Sequence, residues 1–132
     1  MHDRDPAALA ELIAQLAIEE HGSDVCTIDM RSVASYTDYF VICTGRNQRL
    51  VRALADKVVR RVREAGHGRP RLRESDADHN WLLLDYGGVV LHVFTPDARA
   101  FYRLESLWSQ LPQRHHEDSV TSPGSTPEAA AG

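Results

Sequence analysis

The sequence is poor in cysteine and has no long apolar run, and each absence narrows the class of protein. Its two cysteines, Cys26 and Cys43, lie in separate apolar segments without metal-binding or redox spacing. We expect both to be buried thiols in a reducing cytoplasm rather than a disulfide. No stretch approaches the roughly 18 consecutive apolar residues of a membrane-spanning helix. Residues 1–22 carry acids where a secretion signal has a basic start, so we expect a cytoplasmic protein without a membrane partner.

Sequence motifs of catalysis are also scarce. The chain has no G-x-S-x-G nucleophile motif and no internal repeat. Gly45 and Asn47 follow an apolar strand, as in a phosphate-binding turn, and Asp85 could hold a metal or act together with His92. The position two residues after Asp85 is Gly87, so the paired carboxylates of nucleotide-transferring enzymes are missing. We expect no cofactor and no metal, and we keep an enzyme that binds a nucleotide and magnesium as the alternative.

The charge of the chain is unevenly distributed. The total is −4, but the segment Arg46–Arg73 has ten lysines and arginines against two acids, a formal charge of +8 that leaves −12 for the remainder. Such a dipolar protein can meet partners of either sign. Much of the positive charge falls on a predicted helix over residues 47–65. Either its arginines are simply solvated, or they contact an anionic partner.

The hydrophobic pattern predicts a mixed α/β (α+β) fold, in which flanking helices pack on a mixed β-sheet. The order is helix, two strands, helix, an optional edge strand, two strands and a helix. The predicted elements are a helix from Asp5-Pro6 to Gly22, strands at 24–30 and 39–45, a helix capped by Asn47 and ended by Gly66, an edge strand near 71–74, and a hairpin. The strand at 39–45 is apolar almost throughout, so we expect it to be central.

The last predicted helix begins at Thr95-Pro96-Asp97 and stops at Pro112. Five apolar residues recur at helical spacing and should face inward: Phe101, Leu104, Leu107, Trp108 and Leu111. Residues 112–132 have too little apolar surface to fold. We therefore expect one domain over residues 1–111 and a disordered tail over 112–132. The adjacent His115 and His116 in that tail lack further ligands at metal-binding spacing.

Residues 80–94, NWLLLDYGGVVLHVF, are typical of a β-hairpin closed by Gly87-Gly88. In this register Trp81 pairs with Phe94, and residues that oppose each other share a face. One face is a core face, formed by Leu82, Leu84, Tyr86, Val89, Leu91 and Val93. The other, which we call the second face, consists of Trp81, Leu83, Asp85, Val90, His92 and Phe94. Four of these six residues are large and apolar, so a helix of this chain or a partner must cover them.

Asp85 and His92 are diagonal neighbours on the second face, within expected reach of a hydrogen bond. They could orient a partner, form a buried structural contact, or take part in catalysis. Trp81 and Phe94 would stack across the strands and could anchor a contact. The second face could also be the contact of a homodimer.

Three segments of the chain occur in a characteristic order and spacing. They are TDYFVICTG (37–45), NWLLLDYGGVVLHVF (80–94) and ARAFYRLESLW (98–108). Together they closely resemble the ribosomal silencing factor family, also called Iojap-like proteins, over residues from about 24 to 111. The resemblance implies a non-enzymatic protein whose fold is related to that of nucleotidyltransferases.

The resemblance also implies a function. Such a protein would bind the fourteenth ribosomal protein of the large subunit (uL14) at the subunit interface, block joining of the small subunit and lower translation. The predicted partner-binding residues are Trp81, Asp85, Tyr86, His92, Phe94, Tyr102 and Glu105. Asp85 and Glu105 would pair with basic residues of that partner. Apart from the resemblance, the basic helix gives Arg49, Arg52 and Arg60 as possible contacts to ribosomal RNA phosphates, with solvated arginines as the alternative. The family often has an acid where this chain has Gly88.

Overall fold

A six-stranded sheet with helices on both faces forms the body of the computed structural model, which describes residues 5–116. The predicted mixed α/β (α+β) class is confirmed. In chain order the elements are α1 (Pro6–Glu19), β1 (Ser23–Asp29), β2 (Tyr39–Thr44), α2 (Gln48–Glu64), β3 (Leu72–Ser75), β4 (Trp81–Asp85), β5 (Val89–Phe94), α3 (Pro96–Tyr102), α4 (Leu104–Leu107) and β6 (Gln113–His115). Within the described range, no helix is long and apolar enough to cross a membrane.

The strand order across the sheet is β3-β4-β5-β2-β1-β6. β2 and β5 run parallel, whereas the other neighbouring strands are antiparallel. β2 lies between β5 and β1, which explains its almost continuous apolar sequence and confirms that it is central. Because β2 and β5 are parallel, their carboxyl ends meet at one edge, where α2 and α3 begin.

Both long helices start at the caps that the sequence predicts. The Asp5 side chain accepts a hydrogen bond from the Ala7 N–H at 3.1 Å, and Pro6 takes the first helical position of α1. Asn47 Oδ1 accepts from the Leu50 N–H at 2.9 Å at the start of α2. The predicted apolar stripe of α2 is fully buried: Val51, Leu54, Ala55, Val58 and Val62.

The sheet separates two hydrophobic cores. The first core lies under α1 and α2 and receives the predicted core face of the hairpin: Leu82, Leu84, Val89, Leu91 and Val93, with Tyr86 partly buried beside them. The second core lies on the other side and contains Cys26, Phe40 and Phe94. Leu104, Trp108 and Leu111 pack over it, so this chain itself covers much of the second face. Cys26 and Cys43 are both buried and form no disulfide with each other, as predicted.

The hairpin has the predicted register. Trp81 lies opposite Phe94, and the Tyr86 N–H donates to the Val89 carbonyl at 2.8 Å to close the turn. Gly87 has φ +90°, a conformation that glycine adopts without strain. A Cβ atom at Gly88 would lie 3.0 Å from two carbons of Pro6. The contact with Pro6 therefore leaves little room for the acid that the family often has at this position.

The last helix differs from the prediction because it breaks at Arg103. This residue has φ +51° and ψ +49°, the left-handed conformation, which ends α3 and changes the direction in which the following residues point. Phe101 is 79% exposed and Leu107 is 67% exposed, so the prediction that they face inward was wrong. Leu104, Trp108 and Leu111 do pack on the second core, as predicted.

The expected domain end at residue 111 was also too early. Residues 113–115 form β6, an edge strand that pairs antiparallel with β1. The Asp29 N–H donates to the Pro112 carbonyl at 2.9 Å, and the His116 N–H donates to the Val25 carbonyl at 2.8 Å. Backbone hydrogen bonds at the edge of β1 hold this segment in place despite its low apolar content. The rest of the predicted tail, residues 117–132, lies outside the described residues.

Candidate partner-binding surface

Trp81 connects the buried second face to the protein surface. Its indole Nε1–H donates to His92 Nδ1 at 3.1 Å. The Trp81 ring is nearly parallel to the rings of His92 (6.0 Å between centroids, 6°) and Phe94 (6.1 Å, 8°). Tyr102 of α3 lies 5.7 Å from Trp81 and 5.8 Å from Phe94. We call these four residues, Trp81, His92, Phe94 and Tyr102, the aromatic cluster.

The hairpin register is the reason why these rings meet. Trp81 is directly opposite Phe94, and His92 lies two residues earlier on the same side of β5. Burial lowers the pKa of His92 from its usual 6.5 to about 4. The imidazole is therefore neutral at pH 7, and its Nδ1 lone pair accepts a hydrogen bond from the indole N–H. His92 also contacts Phe40 edge-on at 4.6 Å, so the ring is fixed from both sides.

The aromatic cluster has an accessible layer and a buried layer. Tyr102 is 48% exposed and Trp81 is half-buried, so both reach solvent. His92 and Phe94 are only 4% and 1% exposed, so they lie beneath that layer and support it. Binding of a partner by these four residues stays a prediction. Of the four, only Trp81 and Tyr102 are accessible enough to contact a partner directly.

Phe101 extends this surface, and sequence reasoning missed it. Its ring lies edge-on to Tyr102 at 5.0 Å and 87°. The helical periodicity put Phe101 on one stripe with Leu104, Trp108 and Leu111, and the break at Arg103 separates Phe101 from the residues that pack on the core. Phe101, Tyr102 and Trp81 thus form a continuous aromatic surface, which we call the docking surface. A groove of about 670 Å³ adjoins it, lined by Phe101 and Tyr102 together with Arg46, Asn47, Gln48, Asp76, Asn80, Thr95, Pro96, Asp97 and Ala98.

Asp85 has a different role from the one expected. Its Oδ1 atom accepts the Gly87 N–H at 2.7 Å and lies 3.4 Å from Arg71 Nε. His92 takes its hydrogen bond from Trp81 instead, so the predicted Asp85–His92 contact was wrong. The carboxylate is used to shape the hairpin turn. Its pairing with a basic partner stays a prediction, and that partner would have to share the Asp85 carboxylate with Arg71.

Tyr86 and Glu105 are the other two predicted contact residues. Tyr86 packs against the first core, on the face of the hairpin opposite to Trp81. Burial raises the pKa of its hydroxyl to about 12. Glu105 Oε2 accepts from Arg99 Nε at 2.9 Å, and Arg99 also donates to Thr44 Oγ1 at 3.0 Å. Glu105 therefore already has an internal cationic partner, and its pairing with another protein stays a prediction.

The residues proposed for the alternative enzyme lie at opposite ends of the sheet. Gly45 follows the end of β2, and its N–H donates to the Phe94 carbonyl at 2.8 Å. Asp85 pairs with Val90, four residues before Phe94 on β5, which separates the two ends by roughly 13 Å. This separation is unfavourable for the alternative enzyme, in which Gly45 and Asn47 hold the phosphates and Asp85 holds a metal. No group of three or more potential metal-binding side chains occurs within residues 5–116.

Comparison with known proteins places this surface in a functional context. The family model "Ribosomal silencing factor during starvation" matches residues 3–131. The chain belongs to the ribosomal silencing factor family. A ribosomal silencing factor from Zymomonas mobilis is 35% identical over 104 residues, which cover 79% of this chain and 77% of the relative. The predicted family is confirmed.

More distant relatives of the ribosomal silencing factor family include a mouse protein named mitochondrial assembly of ribosomal large subunit protein 1. It is 31% identical over 102 residues, covering 75% of this chain and 44% of the mouse protein. A crystal structure from Chromobacterium violaceum has a TM-score of 0.74 and 27% identity, covering 93% of this chain and 98% of the other. Membership in the ribosomal silencing factor family makes translation regulation the function of this chain and the ribosome its partner.

Proposed function

We propose that this chain binds the large ribosomal subunit in the cytoplasm through uL14 and silences translation by preventing the small subunit from joining. The docking surface of Trp81, Phe101 and Tyr102 is the observation that carries this proposal. A phenylalanine that is 79% exposed beside two further aromatic rings is costly to hydrate. Clustered aromatic residues of this kind are typical anchors of protein interfaces.

Internal contacts hold Trp81 and Tyr102 of the docking surface in place before any partner arrives. The hydrogen bond to His92 fixes the Trp81 indole, and Phe94 packs beside it in the second core. Tyr102 is held against both Trp81 and Phe94. Little side-chain entropy then has to be lost on binding, which favours affinity. This gives the buried residues His92 and Phe94 a supporting role in binding.

Two acids beside the docking surface fit a basic ribosomal protein, in a groove that Arg46 also lines. Asp76 and Asp97 line the groove next to Phe101 and Tyr102. Asp76 also accepts the backbone N–H groups of Asn80 and Trp81 at 2.8 and 3.1 Å, which fixes the start of β4. We propose that these two acids provide the electrostatic contact, since Asp85 and Glu105 have internal arginine partners. A protein of 132 residues bound at the subunit interface would exclude the other subunit sterically.

Co-sedimentation with isolated large subunits tests this proposal. Phe101→Ala should weaken binding by roughly tenfold or more, because it removes an interface aromatic residue. Its fold should be unaffected, since the side chain makes few internal contacts. Tyr36→Ala is the matched control, because Tyr36 is 59% exposed but lies in the β1–β2 connection, outside the docking surface. Equal binding of Phe101→Ala and Tyr36→Ala would refute the site.

The same variants address the homodimer interpretation. If a second copy of the chain covers the docking surface, wild-type protein should sediment as a concentration-dependent dimer and Phe101→Ala as a monomer. Binding of large subunits by the wild type and weak binding by Phe101→Ala would still support the ribosomal site. A dimer that does not bind large subunits would contradict it.

A further inference from the structure

Three exposed arginines lie at the beginning of α2. Arg46 lies just before the N-cap, and Arg49 and Arg52 lie in the first two turns. All three are exposed, and none is in an ion pair within residues 5–116. Lys57, Arg60 and Arg61 further along α2 differ in this respect, whereas Arg63 lies in the last turn, where a cation is favourable. Arg60 lies 3.8 Å from Glu64, and Arg61 pairs with two glutamates of α1.

The position of this arginine patch (Arg46, Arg49 and Arg52) is electrostatically unfavourable. The N-terminus of a helix carries partial positive charge, so cations there are destabilising and anions are favourable. The first turn of α2 contains no acid to offset them. Arg49 and Arg52 are also three residues apart, which places two like charges close together on the helix surface. Charges that cost stability without an internal partner indicate a role in binding.

The arginine patch is next to the docking surface. Arg46 lines the same groove as Phe101 and Tyr102. The side chains of Gln48 and Asn80 connect the beginning of α2 to the hairpin, with the amide of Gln48 donating to Asn80 Oδ1 at 3.1 Å. When a ribosomal protein covers the docking surface, the parts of the large subunit next to that protein would therefore face these arginines.

We propose that Arg46, Arg49 and Arg52 bind phosphate groups of large-subunit RNA next to the docked ribosomal protein. The inference rests on the proposed function, since it needs the chain to be seated on that subunit. Guanidinium groups match phosphate oxygens in charge and in bidentate geometry. RNA in contact with the patch would supply the negative charge that α2 lacks at this end. Arg60 is left out of this site because it lies 3.8 Å from Glu64, and its RNA contact stays a prediction.

The experiment compares two triple variants of the full chain that lose the same charge. The site variant is Arg46→Gln, Arg49→Gln, Arg52→Gln, and the control variant is Arg60→Gln, Arg63→Gln, Arg69→Gln. Affinity for isolated large subunits is measured over a range of salt concentrations. The slope of log K against log salt is negative, and each lost phosphate contact reduces its magnitude by about one. The slope of the site variant should therefore be shallower than that of wild type by roughly two to three. The control variant should keep nearly the wild-type slope.

A second measurement identifies the partner of the patch. A photo-crosslinking residue in place of Arg49 should form a covalent adduct with RNA. Treatment with ribonuclease should then make this adduct smaller. A crosslink to protein alone, or equal salt slopes for the two triple variants, would overturn the inference while leaving the docking surface intact. Failure of wild-type protein to bind large subunits would instead overturn the proposed function and this inference together. The site variant should melt no lower than wild type, which separates lost binding from lost folding.

Discussion

The buried imidazole of His92 should make the stability of this protein depend on pH in a specific window. Its folded-state pKa is about 4, lowered by burial, whereas the unfolded chain titrates near the usual 6.5. Between these values the unfolded state binds a proton that the folded state refuses, so stability falls as pH drops below about 6.5. The loss from this one group should be about 2 kcal/mol at pH 5 and about 3 kcal/mol near pH 4.

Urea unfolding at several pH values measures this effect when wild type is compared with His92→Asn. The substitution has a fixed cost from lost packing, but it removes the titrating group, so its stability should fall less steeply between pH 7.5 and 4.5. His21→Asn is the control, because it makes the same substitution at an exposed histidine. Parallel pH profiles for wild type and His92→Asn would refute the conclusion that His92 is buried in the neutral form.

Three further substitutions test the structural account. Trp81→Phe keeps a ring but removes the N–H donated to His92, so urea unfolding should show a loss of about 1 kcal/mol, and no loss would contradict that bond. Gly88→Asp should lower the melting temperature because its Cβ meets Pro6 at 3.0 Å, and Pro6→Ala should recover part of that loss if the collision is the cause. Arg103→Gly should stabilise the protein by about 0.5–1 kcal/mol by relieving the left-handed conformation, and a destabilised variant would show that the arginine side chain matters more.

The parts of the fold that follow from local rules could be predicted. The Gly87-Gly88 turn and the alternation of apolar residues were sufficient to give the hairpin register, and the register placed Trp81 beside Phe94. The caps at Asp5 and Asn47 were equally local, because a side chain bonds the backbone two or three residues away. In these segments, propensity, pattern and turn chemistry agree.

The parts of the fold that depend on contacts between distant segments, or on a choice between hydrogen-bond partners, could not be predicted. Nothing in the sequence around Arg103 marks a helix break, so the sequence places Phe101 in the core. The most exposed residue of the docking surface was therefore missed. β6 has little apolar content, and only the unpaired edge of β1 creates a place for it. The Asp85–His92 contact does not form: Asp85 accepts the Gly87 N–H in its own turn, and His92 Nδ1 accepts the Trp81 indole N–H.

The most direct test of the central claim is to measure, by light scattering, how purified ribosomal subunits join in the presence of this protein. Wild-type protein and Tyr36→Ala should inhibit joining to the same extent, when added in excess to the large subunit before the small subunit. Phe101→Ala should need roughly tenfold more protein for equal inhibition, since it lacks an anchor of the docking surface. Undiminished inhibition by folded Phe101→Ala, or normal joining with excess wild type, would contradict the account.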